Sequence, residues 1–459
     1  MEAVREGREF SNWKNNDNTR RNMKTKFLLL SILFAGTILK VPAQEKRMLT
    51  LENCKELALK NNVDIQVGKM NVDAARQTSR EAFTKYFPKV SAEAVTYKAD
   101  DNLIKGTIPS IPSLGLETPT EIGVLEEGNL VTVSALQPVF AGGKIVNSNK
   151  LARTALEASR LQLDMAADKV ELETEEFYWK IVSLKEAEKT LDVLDTLLSN
   201  LHKDVSLAVK AGLTTQNDLL TVQLKQNELQ STRLQVENGK KLSCMALCQY
   251  IGIPLDSVKF IEVPELHANI KNPGEYLTDH SVALVSLSTY KLLEKNVQAQ
   301  SLKRKITLGE QLPTVGVGVS YAYEDLMFDK SRNHWLMMAT VSVPISDWWG
   351  GSHKFKRSRL EEKKAIRQQQ DGSEKLQLKM QQSWNQLTES YKQIVLAESA
   401  VQESEENLRM QSNYYRSGVT SLSELLDAQG LYRKSRNRYS DACIDYMKKV
   451  SQYLRDTGR

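Results

Sequence analysis

The feature that most constrains the fold is a tract, residues 145–209, that contains neither proline nor glycine. In its second half apolar residues recur about every 3.5 positions, the spacing with which one helix packs along another. At a rise of about 1.5 Å per residue, this tract predicts a single helix about 100 Å long. The core of a compact domain does not need a helix of that length, so the tract indicates a tube or a stalk.

The chain carries this plan twice. Residues 211–220 read AGLTTQNDLL and residues 417–426 read SGVTSLSELL, which places Gly212 and Gly418 at equivalent positions of two copies. Each copy has the order helix, strand, strand, long helix, turn and helix. We predict a mainly α fold with a transmembrane β portion, built from two tandem repeats, 44–251 and 277–459, with a linker at 252–276.

The first 43 residues have the pattern of a leader. Met23 opens a basic start, residues 27–39 form a short apolar run, and small residues follow at 41–43. This order is typical of a secretory signal peptide. We therefore expect residues 23–43 to be a signal peptide and residues 1–22 to be an upstream extension outside the native protein. The alternative, a membrane-anchoring helix, needs about 20 apolar residues.

Charge and residue content exclude several function classes. Beyond residue 44 the chain has 54 Lys and Arg against 53 Asp and Glu, so it is near neutral and gives no reason to expect nucleic acid as a partner. The four cysteines do not form a disulfide framework in so long a chain, and the five histidines lack metal-ligand spacing. No nucleophile, base and orienting residue lie near one another. We expect no enzyme activity, no cofactor and no metal.

Four segments alternate between apolar residues and small or polar ones, as PTVGVGVSYAY does at 313–323. Such alternation with aromatic residues near one end is typical of the wall of a transmembrane β-barrel, although a half-buried soluble sheet alternates in the same way. Four strands cannot close a barrel, and nothing else in the sequence covers their edges. We expect a homotrimer with a 12-stranded β-barrel, roughly wide enough for an aqueous lumen, continued by a 12-helix α-barrel.

These segments together resemble the TolC-like outer-membrane efflux proteins. The resemblance is carried by LTLENCKELALKNN (49–62), YFPKVSAEAV (86–95), LQPVFAGGK (136–144) and the two glycine turns, and it spans nearly all of the chain beyond the leader. It implies a trimer that sits in outer-membrane lipid, spans into the periplasm and docks on a periplasmic adaptor protein and, through it, on an inner-membrane pump.

The expected function is that of the outer-membrane channel of a tripartite export system, a passive duct for small molecules or polypeptides. The alternative is a non-conducting exported coiled-coil spacer or scaffold. Small and polar residues on one face of the strands favour the duct, because a spacer would fill its barrel with bulky side chains.

The two glycine turns are the predicted docking tips. A glycine that ends a long helix can adopt the left-handed conformation and let the chain reverse. In each turn a Ser or Thr is followed three positions later by a carboxylate, which fits a capping box. A plain helical turn without a partner is the alternative. The predicted adaptor-docking residues are Gly212, Thr215, Asp218, Leu219, Gly418, Ser421 and Leu425.

The second tip also carries a predicted gate. Glu424 and Asp427 share one helix face, and in a trimer they would form two acidic rings that favour cations. The resemblance implies that both line the periplasmic entrance and that Tyr415 belongs to the network that closes it. Thr420 stands where the family has a basic residue, so we expect Arg416 to take part instead. For Glu424, capping of its own helix is the alternative.

Overall fold

The computed structural model describes residues 49–101, 104–110, 118–124, 127–255, 261–262, 264, 270–325, 331–345 and 347–459. The predicted signal peptide and part of the predicted linker lie outside the described residues. The elements below all belong to one compact unit, Thr50–Arg459.

The two repeats have the same order of elements. The first contains α1 (Leu51–Asn61), α2 (Val63–Thr84), β1 (Lys89–Lys98), β2 (Ile104–Ile108), β3 (Thr120–Val124), β4 (Glu127–Ala141), α3 (Lys144–Lys210) and α4 (Gln216–Tyr250). The second contains α5 (His280–Ser286), α6 (Ser288–Gly309), β5 (Thr314–Asp325), β6 (Arg332–Ser342), α7 (Asp347–Arg416) and α8 (Leu422–Asp456). The predicted mainly α, duplicated fold is confirmed. No helix in the described part of the chain is both long and apolar enough to cross a membrane.

The long helices have the predicted lengths. Helix α3 has 67 residues and its equivalent α7 has 70, so each is about 100 Å long. Helices α4 and α8 have 35 residues each. Such lengths follow from the uninterrupted helix-forming sequence, because each residue added to a nucleated helix gains a backbone hydrogen bond without a further nucleation cost.

The four main strands form one antiparallel sheet in the order β1-β4-β5-β6. Its register places the alternating residues of neighbouring strands on common faces. Val319 pairs with both Ala135 and Met337, and Tyr321 pairs with Trp335, with 5.0 Å between the ring centroids. One face is therefore apolar. The other face carries glycines, serines and threonines, and there the hydroxyls of paired Ser91 and Ser134 lie 3.0 Å apart.

The helices continue the order of the strands. Helix α2 leads into β1, β4 leads into α3, α6 leads into β5, and β6 leads into α7, and α2 packs on α3, α3 on α6, and α6 on α7. The far ends of the long helices have different neighbours. There α4 packs on α3, and α8 packs on both α7 and α3. The chain thus forms a four-stranded sheet that continues into a layer of four helices.

The segment between β1 and β4 contains a second, two-stranded sheet. Strands β2 and β3 pair from Ile104 with Val124 to Ile108 with Thr120. Both segments are rich in β-branched residues, which favour strands. Pro109 directly follows β2 and Pro119 directly precedes β3. Proline has no N–H to donate, so the ladder of hydrogen bonds does not continue through these residues. The hairpin therefore ends at the two prolines.

The two Gly-Gly pairs lie in different local structures. Gly142 and Gly143 have φ of 61° and 77° and directly precede α3. Gly350 and Gly351, by contrast, lie within α7, which begins at Asp347. The reason is a tertiary contact: the Nε2 of Gln311 donates a 2.7 Å hydrogen bond to the Gly351 carbonyl, and a Cβ at Gly351 would lie 2.8 Å from Gln311 Cδ.

In both repeats a glycine of one helix faces a leucine of the helix packed against it. A Cβ at Gly68 in α2 would lie 2.8 Å from Leu163 Cδ1 in α3, and a Cβ at Gly372 in α7 would lie 2.5 Å from Leu293 Cδ1 in α6. Gly68 and Leu293 both occupy the sixth position of 22-residue helices. Gly372 therefore leaves its helix continuous and makes room for a leucine.

The asparagines of the LALKNN string join the start of the repeat to its end. The Nδ2 atoms of Asn61 and Asn62 donate to the carbonyls of Ile251 and Tyr250 at 3.3 and 2.9 Å, so they satisfy carbonyls at the end of α4. The Asn62 Oδ1 also accepts from the amide of Asp64 and caps α2. The string therefore has a structural role independent of any partner.

The closest backbone contact lies where strand turns into helix. Gly142 has φ of 61°, and a Cβ there would overlap the Gly309 carbonyl, whose carbon would lie 3.0 Å away. We expect Gly142→Ala to lower the free energy of unfolding by about 1–3 kcal/mol, because it adds backbone strain and a clash. Circular dichroism during urea unfolding of the detergent-solubilised protein measures the loss. Gly350→Ala is the control, since a Cβ there meets nothing within 4 Å. Equal stability of the two variants would contradict the assignment.

Candidate functional site

The two tips reverse the chain with the same backbone motif. Gly212 and Gly418 have φ of 72° and 74°, the left-handed conformation. The amide of the next residue, Leu213 or Val419, donates to the carbonyl five residues earlier at 2.8 Å in both tips. The glycine amide donates to the carbonyl three residues earlier, at 3.1 and 3.0 Å. This is the Schellman motif, which satisfies the last carbonyls of a helix.

Both predicted capping boxes are present. At the first tip the Asp218 amide donates to Thr215 Oγ1 at 3.3 Å, and the Thr215 amide donates to Asp218 Oδ2 at 3.3 Å. At the second tip the Glu424 amide donates to Ser421 Oγ at 3.3 Å, and the Ser421 amide donates to Glu424 Oε2 at 3.1 Å. Each box satisfies two amides that the start of a helix would otherwise leave without a partner.

A second hydroxyl strengthens each box. The Thr420 hydroxyl donates to the Glu424 carboxylate, and the Thr214 hydroxyl donates to the Asp218 carboxylate. These hydrogen bonds to the charged form are the main reason why the pKa of Glu424 and the pKa of Asp218 lie below their ordinary values. Thr420, which replaces a basic residue of the family pattern, therefore holds Glu424 in its capping position.

The structure brings the two tips together over one apolar core. The buried members come from α3, α4 and α8, and partly buried side chains such as Leu219 and Tyr415 pack against them. The buried members are Leu191, Leu194, Leu198, Leu201, Val205, Val222, Leu229, Leu422 and Leu425. Two segments far apart in the sequence thus pack on one shared core.

Exposure divides the predicted docking residues into two groups. Leu425 is only 4% exposed and packs in the core, whereas Gly212, Gly418, Thr215 and Ser421 lie at the surface. The docking role of all seven residues stays a prediction.

The most exposed apolar side chains of the tips lie elsewhere. Leu213 is 81% exposed and Val419 is 73% exposed. Each directly follows the tip glycine, and the sequence shows this shared position. An apolar residue after such a glycine commonly packs back on its own helix, so the position alone does not predict whether the side chain is buried or exposed.

The predicted gate residues fall into two places. Tyr415 and Arg416 line a cavity of about 430 Å³ between α3, α7 and α8, and Asp204 lines the same cavity. Burial, with Asp218 and Asp204 nearby, raises the pKa of Tyr415. Glu424 and Asp427 are exposed on α8 outside this lining.

Asp427 has the simpler surroundings of the two acids. Its carboxylate makes no hydrogen bond or ion pair to another described residue, whereas that of Glu424 is held by the capping box. Neither acid pairs with Arg416 within the described part of the protomer. The gate assignments stay predictions.

The chain is similar to outer membrane efflux proteins in part of its sequence and in its fold. Residues 292–450 match the family model described as outer membrane efflux protein. No match was found among curated proteins. The outer membrane protein VceC of Vibrio cholerae has 14% identity and a TM-score of 0.73, over 89% of this chain and 96% of VceC.

Two further channels are similar to the same extent. The CmeC outer membrane channel of Campylobacter jejuni has 15% identity and a TM-score of 0.72, over 89% of this chain and 85% of CmeC. The open state of the MtrE outer membrane channel of Neisseria gonorrhoeae has 14% identity and a TM-score of 0.70, over 89% of this chain and 88% of MtrE. At identities this low, the structural similarity shows that the fold is shared.

The capping box of the second tip predicts a local pH response. Because the pKa of Glu424 is lowered in the folded state, its contribution to stability is present above the ordinary carboxyl value of 4.5 and is lost as the pH falls through the lowered value. We expect the protection of amides 422–426 against hydrogen exchange, corrected for intrinsic rates, to fall on acidification.

Glu424→Gln is the matched variant, because Gln also completes a capping box but does not titrate. Its protection should not change over the same pH range, while Glu424→Ala should lose protection at every pH. A Gln variant as acid-sensitive as the unmodified protein would contradict the role of the carboxylate.

Proposed function

We propose that the protein is the outer-membrane duct of a tripartite export system, because residues 292–450 match the outer membrane efflux protein family model. In this proposal it forms a homotrimer in the outer membrane, spans into the periplasm, and passes small molecules or polypeptides outward from a periplasmic adaptor and an inner-membrane pump.

The observation that carries the proposal is the form of the sheet. Strands β1 and β6 each pair on one side only among the described strands. Open edges are a liability unless another chain pairs with them, and one face of the sheet is apolar. Pairing of β6 with β1 of the next copy would close a barrel with that face toward lipid and the glycine- and serine-rich face toward the lumen.

The second candidate is a non-conducting spacer. The small and polar residues of the inner face, such as Gly316, Gly318 and Ser320, argue against it, because a spacer would be expected to fill its barrel with bulky side chains. The duct performs no chemistry of its own. Energy for transport comes from the separate pump, so catalytic residues are not needed.

Conductance tests the duct and its gate together. Purified protein in planar bilayers should show small cation-selective openings, and Asp427→Asn should reduce the cation preference, because the exposed carboxylate would attract cations at the entrance. Glu374→Gln is the control, since it removes an exposed carboxylate from the middle of α7. Unchanged reversal potentials would remove Asp427 from the gate. Absence of openings from inserted trimers of every variant would favour the spacer.

Co-purification tests the docking tips. Leu213→Asp with Val419→Asp should abolish retention of a cognate periplasmic adaptor, because charges replace the two most exposed apolar contacts of the tips. Leu255→Asp is the control, as it changes a 49% exposed leucine beyond the end of α4. Full retention of the adaptor by the double variant would exclude these side chains from the docking surface.

A further inference from the structure

Positive charge is concentrated where the helices meet the sheet. Four segments of equal length form the sheet-proximal ends of α2, α3, α6 and α7 and their connections; we call them the basic collar, residues 76–89, 144–157, 300–313 and 347–360. They contain fourteen Lys or Arg and four Asp or Glu, a formal net charge of +10.

The opposite ends of the helices are different. Matched segments beside the tips, residues 197–210, 216–229, 403–416 and 422–435, contain seven Lys or Arg and eight Asp or Glu, a net charge of −1. Because the chain beyond the leader is near neutral, the collar is a local concentration of charge rather than a reflection of composition.

The collar cations are available to a partner. Arg76 pairs with Asp73 and Arg304 with Glu362. Among the described residues the other twelve have no carboxylate within ion-pair distance, and all of the fourteen except Lys144 and Arg304 are exposed. The exposed collar cations on α7 are Lys354, Lys356, Arg357 and Arg359. An unneutralised set of this size is costly to keep together unless anions screen it.

Aromatic rings lie at the same level as the collar. Phe83 forms edge-to-face contacts with Tyr86 and Phe87, with 5.6 Å between the centroids in both pairs, and all three are exposed. Across the junction Trp348 is half exposed and Trp349 is 82% exposed. Exposed aromatic rings beside basic residues are typical of the level of lipid headgroups.

We propose that the basic collar binds the phosphate groups of anionic phospholipids in the membrane leaflet that faces the helices. The proposal rests on the proposed function, since the apolar face of the sheet must lie in the bilayer for the collar to reach the headgroups. Lys and Arg side chains beside an anionic surface attract it additively, within about a Debye length of roughly 10 Å at 0.1 M salt. The aromatic rings favour this outer position over the lumen.

Lipid counting by native mass spectrometry tests the collar. The purified full-length protein in nonionic detergent is titrated with dioleoyl phosphatidylglycerol or with dioleoyl phosphatidylcholine. The collar variant replaces Lys354, Lys356, Arg357 and Arg359 with Gln. The matched tip variant replaces Lys203, Lys210, Lys434 and Arg436, which are equally exposed, with Gln. The same samples are studied in planar bilayers.

We expect the unmodified protein to prefer phosphatidylglycerol, and its apparent affinity to fall at least about fivefold in the collar variant and less than about twofold in the tip variant. The preference should also weaken as sodium chloride is raised. The collar proposal would be overturned if both variants lost the same affinity for phosphatidylglycerol, or if the unmodified protein did not prefer this lipid; channel openings in the same samples would still support the duct. The collar proposal would also be overturned if the collar variant kept its lipid preference but changed its ion selectivity, because the cations would then lie in the lumen. Absence of both insertion and conductance would instead overturn the proposed function.

Discussion

The structure depends on the difference between the spacing of neighbouring strands and the spacing of packed helices. Neighbouring strands lie about 4.8 Å apart, whereas packed helices lie about 8–10 Å apart, and here each of four strands continues into one helix of a layer with the same order. The four chain segments must therefore spread apart within a few residues. At the crossing the chain has no room for side chains: the backbones of Gly142 and Gly309 touch, and Gly351 lies against Gln311. The long helices can pack side by side beyond the junction because the spreading is completed there.

Local signals account for most of what could be read from the sequence. The absence of Gly and Pro over 145–209 predicted α3 to within a residue at each end, and the Ser or Thr and carboxylate spacing predicted both capping boxes, because these features depend on neighbours along the chain. The resemblance to TolC-like outer-membrane efflux proteins is confirmed by the match over residues 292–450 and by the fold. What escaped prediction depends on tertiary contacts: the helical placement of Gly351, the burial of Leu425 and the exposure of Leu213.

At the second tip, hydrogen bonds within the turn already fix the position of one carboxylate. Glu424 caps α8 and accepts from Thr420, so its position is set by the turn itself, while Asp427 keeps its carboxylate exposed one turn later. Tyr415 links the tips, because it packs on the core they share and lies near Asp218 of the first one. The two tips are therefore held together by one packed core and by their own capping hydrogen bonds.

The pairing of a glycine with a leucine in both repeats has a consequence for how the chain can change over evolutionary time. Gly68 accommodates Leu163 in the first repeat, and Gly372 accommodates Leu293 in the second, so the pair keeps its volume while the helix that supplies the bulk differs. Two leucines would collide and two glycines would leave a cavity. Substitution at either position should be tolerated only with its complement, so among related chains the sizes of the two residues should vary together and in opposite directions.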